Sequence, residues 1–588
     1  MLRRAGPSRK APLADIRRRI LPSVPLVAIL GLLASLLEGA GIGLFVPLLA
    51  LMLDNASSSS IPEPLRSFAA SLGGAGLREQ TALIGAAIVG LIILKNVVQA
   101  LNECLLVSIR ARIGRDVRNG LARSLLSVDY SFFLKHDKTR LTRIVANDSW
   151  VVVEAAGSAL ALIPAVTAVL VFCALLALLN LKLFLLVLAG SAVIQAIVYA
   201  FERRQRQLSY RFTESSQQLW YRHLTLLQAP RVIRLFGQQH REEQRAQLAI
   251  ERLWRSLNAA SYLNALVHPA VDTLVALLFV TLLLIAFWGG MPVPAITAFL
   301  LLLTRALPHA KAISRARLGL ATYEASMREV DWLISQKRDS RKLEKIEALS
   351  IDGPITMEDV SYAYPDGSRA IDHVTLTIEP GATTTLLGES GSGKTTLINL
   401  LCRLIEPQSG SIRLGGKDIA DIDPDVWRRR IAVAGQESDL VSGTVAENIA
   451  YGRPDAGRAE IEAVARAAGA HKFIAALPRG YDTMVEGQGL NLSGGQRQRI
   501  GVARAMLLKP DLLIFDEATN AVDALSDIEI IKLATEHRYF RTLLIVSHRK
   551  TTIAVCERGI VLHDGKVIEA GPLKKLDYFL GMGGTDNA

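Results

Sequence analysis

A glycine-rich segment carries the clearest chemistry in this 588-residue chain. The segment consists of Gly388, Glu389, Ser390, Gly391, Ser392, Gly393, Lys394, Thr395 and Thr396. It follows the run Thr384–Leu387, read as a strand, and precedes the run Leu397–Leu404, read as a helix, so a strand, a loop and a helix are predicted in that order. In such a loop the backbone N–H groups surround phosphates, Lys394 reaches the terminal phosphates and Thr395 holds Mg²⁺. The segment therefore predicts binding of a nucleoside triphosphate with Mg²⁺.

Two adjacent carboxylates follow a later apolar run, Leu513–Phe515. Asp516 ends the predicted strand, and its hard carboxylate suits Mg²⁺, bound directly or through water. Glu517 is placed to orient and polarise an attacking water as a general base. These two residues add hydrolysis to the predicted nucleotide binding.

A third segment, Leu492-Ser493-Gly494-Gly495-Gln496, lies between the glycine-rich loop and these carboxylates. Together the three segments resemble an ABC-type ATPase, and the resemblance covers nearly all of residues 350–588. It implies that the segment Ser493–Gln496 binds the γ-phosphate of ATP held by a second subunit. ATP would then join two ATPase domains.

The resemblance assigns three further roles. Tyr364 is expected to stack on adenine, Gln436 to contact Mg²⁺ and the attacking water, and His548 to touch the γ-phosphate. The alternatives are an ordinary apolar strand residue for Tyr364 and a structural histidine for His548. Two segments depart from the family pattern. The segment Asn520–Asp523 differs from the family's more frequent Ser-Ala-Leu-Asp but keeps the final aspartate. The segment Val485–Gly489 differs from the family's Val-Gly-Glu-x-Gly in that glycine and glutamate have exchanged places.

Composition separates the chain into an apolar and a polar half. Half of all residues are hydrophobic, concentrated in the first 320 positions, and the net charge is +12. Arginine and lysine crowd the ends of apolar segments, as the positive-inside rule expects, and no aromatic-basic interleaving accompanies them. Nucleic-acid binding is therefore not expected. The four cysteines have neither disulfide nor metal spacing.

Six stretches are long and apolar enough to cross a membrane. They are Leu21–Leu53, Ala82–Val107, Ala155–Leu179, Leu181–Ala200, Leu263–Trp288 and Val293–Leu307 with its polar continuation. The even number puts both termini on one side, and the basic connections make that side cytoplasmic. We expect a multi-pass protein of the cytoplasmic membrane, in contact with membrane lipids.

The predicted organisation has four parts. A basic elbow segment occupies residues 1–20, with an unstructured basic tail as the alternative. A transmembrane domain follows over 21–325, then a linker over 326–350 and the ATPase domain over 351–588. The fold class is multidomain, with an all-α six-helix transmembrane domain followed by an α/β P-loop ABC ATPase domain. The two long cytoplasmic connections keep helical periodicity, so the helices are expected to continue far beyond the membrane.

By resemblance to ABC exporters, each long connection ends in a short coupling helix that touches the ATPase domain. The first is expected near Leu134–Leu141 and the second near Tyr221–Leu227. Arg140 replaces the family's usual glycine in the first of these segments.

Charged residues within the spans suggest the cargo. Glu38 lies within Leu36–Gly43, and the sequence of this segment resembles exporters of lipid-linked oligosaccharides and glycolipids. The alternative is a structural role, because the glycines of the segment suit close helix packing. Lys95, Arg305 and His309 are candidates for a cationic cavity that binds an anionic head group. The alternatives are snorkelling cations or pairs with Glu38 or Asp272.

The chain is thus identified as a half-size ABC exporter of the six-span type, with ATP and Mg²⁺ as cofactors. It is expected to work as a homodimer, with a heterodimer possible, and to export or flip an amphipathic substrate by alternating access. The favoured substrate is a lipid, glycolipid or lipid-linked oligosaccharide. A multidrug or peptide exporter is one alternative, and an ATP-gated channel or regulator on the same scaffold is another.

Overall fold

A computed structural model describes residues 21–52, 77–336, 351–435, 440–486, 489, 491–516, 539–547 and 553–576. Two compact units make up the chain, one of residues 1–128 with 136–337, the other of residues 129–135 with 338–588. The predicted elbow, residues 1–20, lies outside the described residues, as does the part of the predicted linker from 337 to 350.

The regular secondary structure in the described part of the first unit is all helical. Its helices are α1 (Val24–Gly43), α2 (Phe45–Met52), α3 (Leu77–Ser127), α5 (Lys138–Arg143), α6 (Ser149–Leu179), α7 (Leu181–Gln228), α8 (Pro230–Leu235), α9 (Gln239–Trp288) and α10 (Val293–Ser335), with α4 (Tyr130–Lys135) falling in the other unit. A 3₁₀ turn at Leu21–Ser23 precedes α1 and a π-helical turn at Ile144–Asp148 joins α5 to α6.

Six of the described segments are long and apolar enough to span a membrane, which confirms the predicted number. They are Val24–Leu49, Arg78–Ser127, Lys138–Leu179, Leu181–Phe201, Gln239–Trp288 and Val293–Arg317. At 1.5 Å per residue the 51 residues of α3 extend about 75 Å, more than twice the ~30 Å of a bilayer core. The predicted long helices are therefore present. Residues 326–335, expected to begin the linker, continue α10.

Helix α6 forms the centre of the first unit. It packs against α1, α3 and α10, while α7 packs chiefly along α9. Phe172 of α6 and Phe299 of α10 are fully buried between these helices. At Gly39 a Cβ would lie 2.4 Å from Leu175 Cδ1, so this glycine allows α1 to approach α6 closely.

Short helices occupy the first segment expected to form a coupling helix, near Leu134–Leu141, but not the second. The segment Leu134–Leu141 contains the end of α4 and the start of α5, whose N-cap Asp137 accepts from Thr139 N at 2.8 Å. Tyr221–Leu227 forms the last turns of α7, and the separate short helix is α8. The cause is Pro230, which lacks a backbone N–H and begins a new helix more readily than it continues one.

Arg140, the departure from the family's glycine, joins α5 to α10. Its Nε and Nη2 donate to the two carboxylate oxygens of Glu329 at 2.9 and 3.0 Å. The guanidinium also lies 4.4 Å from the ring centroid of Trp332. A bidentate ion pair with a cation–π contact therefore holds α5 against α10.

The second unit is an α/β domain. Its described strands are β1 (Ile355–Ala363), β2 (Arg369–Ile378), β3 (Thr383–Leu387), β4 (Ser409–Leu414), β5 (Lys417–Asp418), β6 (Ile431–Ala434), β7 (Gly443–Thr444), β8 (Met484–Val485), β9 (Leu512–Asp516), β10 (Thr542–Val546), β11 (Arg558–His563) and β12 (Lys566–Pro572). Its helices are α11 (Lys394–Leu401), α12 (Pro424–Arg428), α13 (Val445–Ile449), α14 (Arg458–Ala467), α15 (His471–Ala475) and α16 (Gly494–Leu507).

The strands form three sheets, ordered β2-β1-β4-β5, β12-β11-β3-β10-β9-β6 and β7-β8. In the six-stranded sheet β11, β3, β10, β9 and β6 are parallel, and β12 is antiparallel at one edge. Strands β3 and β10 are buried along their whole length, as parallel strands covered on both faces are. The predicted fold class, a helical membrane domain followed by an α/β domain, is confirmed.

Candidate functional site

One edge of the six-stranded sheet carries the phosphate loop and Asp516. Val546 of β10 pairs with Leu386 of β3 on one side and with Asp516 of β9 on the other. Phe515 pairs in turn with Ala434 of β6. Because these strands are parallel, their carboxyl ends lie at the same edge, where open α/β sheets bind ligands. The phosphate loop follows β3 at this edge.

The phosphate loop is shaped by its own lysine. Lys394 Nζ donates to the carbonyl oxygens of Gly388 and Glu389, each at 2.8 Å. The side chain is buried at the start of α11, so the ammonium lies inside the loop. Ser392 Oγ, only 4% exposed as a residue, has no hydrogen-bond partner in the described part of the chain. A buried ammonium and a buried hydroxyl that needs a partner fit a bound phosphate chain.

Gly393 is the N-cap of α11 and has φ +104°, a conformation that side chains rarely adopt. A Cβ built on it would lie 2.4 Å from Ala370 O and 3.0 Å from Ile371 Cδ1. The backbone of β2 therefore approaches the loop too closely for any side chain here. The N-terminus of α11 also offers backbone N–H groups and a partial positive charge, which suit an anion.

The residues that follow Lys394 face in two directions. Thr395 is exposed at the edge of the sheet, and Asp516 is half-buried at the end of β9. A hydroxyl and a carboxylate are oxygen ligands of the kind that Mg²⁺ takes together with phosphate oxygens. Thr396 is buried, and its hydroxyl shares a hydrogen bond of 2.9 Å with the Tyr364 hydroxyl. The predicted adenine platform is thus tied to the phosphate-loop helix.

The segment Ser493–Gln496 forms the beginning of α16. Ser493 Oγ accepts from Gln496 N at 3.3 Å, and Gln496 Oε1 accepts from Ser493 N at 2.9 Å, which is a capping box. Ser493 and Gly494 are exposed. The start of this 14-residue helix therefore offers backbone N–H groups of Gly494 and Gly495 to an anion from outside.

Arg497 was not singled out from the sequence. It donates to Leu492 O at 2.8 Å and to Gly489 O at 3.3 Å, and so holds the loop that leads into α16. The only sequence signal was a basic side chain in the first turn of a helix, where the helix dipole disfavours it unless carbonyl groups compensate.

Three predicted site residues, Gln436, Glu517 and His548, lie outside the described residues. Their roles stay predictions.

Burial sets the protonation of two groups near the site. It raises the pKa of the Cys402 thiol, at the C-cap of α11, to about 12, and nearby Asp516 also raises it. Burial likewise raises the pKa of Tyr362, with a further contribution from Tyr364. Both groups are therefore neutral at pH 7.

Comparison with known proteins agrees with this architecture. The family model described as ABC transporter transmembrane region matches residues 28–304, and that described as ABC transporter matches residues 371–520. The ATP-dependent lipid A-core flippase of Chromobacterium violaceum is 31% identical over 495 residues, covering 82% of this chain and 84% of that protein. The chain belongs to the ABC transporter family.

Two other relatives of this ABC transporter align with it over only part of their own length. The heterocyst differentiation ATP-binding protein HepA of Nostoc sp. is 32% identical over 406 residues, covering 68% of this chain and 65% of that protein. A fatty acid ABC transporter ATP-binding/permease protein of Mycobacterium tuberculosis is 35% identical over 347 residues, 58% of this chain and 54% of that protein. The match thus spans less than two thirds of the length of these two relatives.

A solved structure of a bacterial Atm1-family ABC exporter with ATP bound has the same fold. Its TM-score is 0.80 at 23% identity, covering 98% of this chain and 100% of that one. Both domains of the transporter are therefore present in one chain, in the order predicted.

The membrane domain of the transporter places three predicted substrate residues together. Lys95 Nζ lies 3.4 Å from Glu38 Oε2, and Arg305 Nε lies 3.6 Å from Glu38 Oε1. We call these three residues the Glu38 cluster. The fourth candidate, His309, stacks on Phe172 with ring centroids 5.9 Å apart.

Ion pairing, one of the alternatives left open by the sequence, is what the structure shows for these cations. The Lys311 ammonium likewise lies 3.0 Å from an Asp272 carboxylate oxygen. The two sites differ in charge balance. Lys311 and Asp272 neutralise each other, whereas the single carboxylate of the Glu38 cluster lies between two cations.

Proposed function

We propose that this chain is an ATP-driven half-transporter that works as a homodimer. It exports or flips an anionic amphiphile, a lipid or lipid-linked saccharide, across the cytoplasmic membrane. Residues 351–588 are the ATPase domain and both termini lie in the cytoplasm. The observation that carries the proposal is that one chain joins six spanning segments to a sheet edge built for a nucleotide.

ATP binding rests on the phosphate loop. The buried Lys394 ammonium and the start of α11 would hold the phosphates. Mg²⁺ would be held by Thr395, Asp516 and Gln436, and it would neutralise charge on the phosphates. Glu517 would take the proton of the attacking water, and His548 would donate to the γ-phosphate. Of their described neighbours, Asp516 is the last residue of β9 and Ser547 directly follows β10, and these two strands are paired.

A dimer is supported by surfaces that a single chain leaves exposed. Ser493 and Gly494 at the start of α16 are exposed although their predicted ligand is the γ-phosphate of ATP. Leu248, Trp254 and Tyr262 on α9 are exposed although they precede the stretch predicted to span the membrane. Apolar surface outside the bilayer favours a protein partner. A second copy supplies both contacts at once.

An anionic cargo is supported by the charge of the Glu38 cluster. Two cations around one carboxylate leave one positive charge uncompensated within the cluster. The Arg305 side chain is 60% exposed, against 16% for Glu38, so it is the accessible cation. Two of the relatives are named for lipid A-core and fatty acid, both amphiphiles with acidic groups.

The test uses proteoliposomes that contain the purified full-length protein. Flipping is measured with two fluorescent lipids that share one labelled chain, an anionic phosphatidylglycerol and a zwitterionic phosphatidylcholine. We expect ATP-dependent flipping of the anionic lipid, and Arg305→Ala should slow it more than it slows the zwitterionic one. Lys311→Ala is the matched control on the same helix, because it breaks a pair that is already neutral.

Two outcomes would contradict the proposal. Movement of lipid without ATP hydrolysis would argue for a gated pore, and equal effects of Arg305→Ala on both lipids would argue for a structural Glu38 cluster. Cross-linking of a single purified chain into a two-subunit species tests the homodimer.

A further inference from the structure

Tyr364 is held in place by contacts within its own domain, first through its backbone. It follows β1 at the start of the turn to β2. Its N–H donates to Ser368 O at 2.9 Å, and its carbonyl accepts from Gly367 N at 2.9 Å. These two bonds close the turn and set the direction of the Tyr364 side chain.

The ring of Tyr364 is held at two further points. Tyr362, buried on β1, meets it edge to face with ring centroids 5.3 Å apart and an interplanar angle of 88°. At the far end of the ring, the hydroxyl bonds Thr396 Oγ1 at 2.9 Å. Thr396 is 4% exposed and lies in the first turn of α11, directly after Thr395. The hydroxyl bond therefore links two parts of the site that are far apart in sequence.

We infer that Thr396 is a positioning residue for the base of the nucleotide. Its hydroxyl holds the Tyr364 ring at a set distance from the phosphate loop, so that base and phosphates are bound at matched positions. The inference rests on the proposed ATP binding and adds a role that the phosphate loop alone does not require.

The physical reason is preorganisation. A free tyrosine ring loses side-chain freedom when a base stacks on it, and this cost reduces affinity. A ring already held by a hydrogen bond has lost that freedom in the folded protein. A single hydrogen bond of this kind changes affinity by about two- to tenfold. The effect should be confined to ligands that carry a base, because a phosphate chain alone does not touch the ring.

The experiment is a double-mutant cycle on the full-length protein in detergent or nanodiscs. Thr396→Val removes the hydroxyl at nearly constant volume, Tyr364→Phe removes its partner and keeps the ring, and a third variant combines both. Thr396→Ser keeps a hydroxyl and is the conservative variant. Dissociation constants are measured for ATP and for inorganic tripolyphosphate, which has the phosphates without the base.

We expect Thr396→Val and Tyr364→Phe each to weaken ATP binding about two- to tenfold. The double variant should bind ATP no more weakly than either single variant. Thr396→Ser should bind ATP with an affinity close to that of the wild type. Binding of tripolyphosphate should weaken less than binding of ATP in the three variants that lack one or both hydroxyls. Non-additivity of this kind shows that the two hydroxyls act as one unit.

Three results would overturn the inference. Additive losses would show that the hydroxyls act separately. Equal losses for tripolyphosphate and ATP with Thr396→Val would show that Thr396 acts on the phosphates. Tighter ATP binding by the single variants would show that the bond must break for ATP to enter. Failure of ATP binding is a separate result, because wild-type protein that binds neither ligand would contradict the proposed function itself.

Discussion

Replacement of Gly393 by alanine should damage nucleotide binding more than replacement of its neighbour Gly391. At Gly393 the backbone has φ +104°, and a Cβ would lie 2.4 Å from Ala370 O. Conformations of this kind cost a non-glycine residue about 1–2 kcal/mol. Crowding against fixed backbone adds about 1–3 kcal/mol. If this strain shifts the loop from its binding shape, ATP affinity should fall about thirtyfold to several-thousandfold.

Gly391→Ala is the matched control. Its φ of +85° is also unfavourable for alanine, but no heavy atom of the described residues lies within 4 Å of the built Cβ. Only the conformational cost of about 1–2 kcal/mol applies, which is about five- to thirtyfold in affinity. The assay is the ATP dissociation constant of full-length protein, with melting in the absence of nucleotide to confirm folding. Equal losses in the two variants, or a larger loss for Gly391→Ala, would refute the steric argument.

Two other substitutions test residues in different parts of the chain. Glu517→Gln should leave ATP affinity within about threefold of wild type and lower hydrolysis by at least about a hundredfold, because the base is lost while the phosphate loop is intact; turnover near the wild-type rate would show that Glu517 is not the base. Arg140→Ala should raise amide hydrogen exchange in α5 about fivefold, since a half-exposed ion pair to Glu329 and a cation–π contact with Trp332 together contribute about 1 kcal/mol. Arg328→Ala, which breaks an exposed pair on α10, is the control, and an equal rise in α5 would contradict the clamp.

The phosphate loop and the spans could be predicted because each depends on local sequence. A loop that admits backbone N–H groups to phosphate needs glycines at fixed positions and a lysine at the helix start, and few other structures need the same spacing. A spanning helix needs only length and apolar composition, both of which can be read from consecutive residues. The same locality makes Glu38 a candidate from sequence, because a carboxylate within an apolar run is costly unless it has a partner or faces water.

The contacts of these residues could not be predicted in the same way. The Glu38 cluster joins α1, α3 and α10, and the sequence allowed its cations to snorkel as well as to pair. The bond between Tyr364 and Thr396 depends on the approach of the β1–β2 turn to α11. The position of α8 differs from the expected Tyr221–Leu227 because the helical pattern continues through Gln228 and Pro230 begins the next helix.

The two cations of the Glu38 cluster are not equivalent, and the difference bears on how an anion would be bound. The Lys95 side chain is mostly buried, at 20% exposure. Loss of its partner, the Glu38 carboxylate, would leave an unpaired charge in an apolar span. Arg305 is 60% exposed, and its 3.6 Å separation from Glu38 is beyond hydrogen-bond distance. An incoming phosphate or carboxylate could therefore bind the guanidinium while Glu38 stays with Lys95. For the anionic cargo proposed above, the arrangement favours Arg305 as the group that meets the head group, with the Lys95–Glu38 pair as its neutral support.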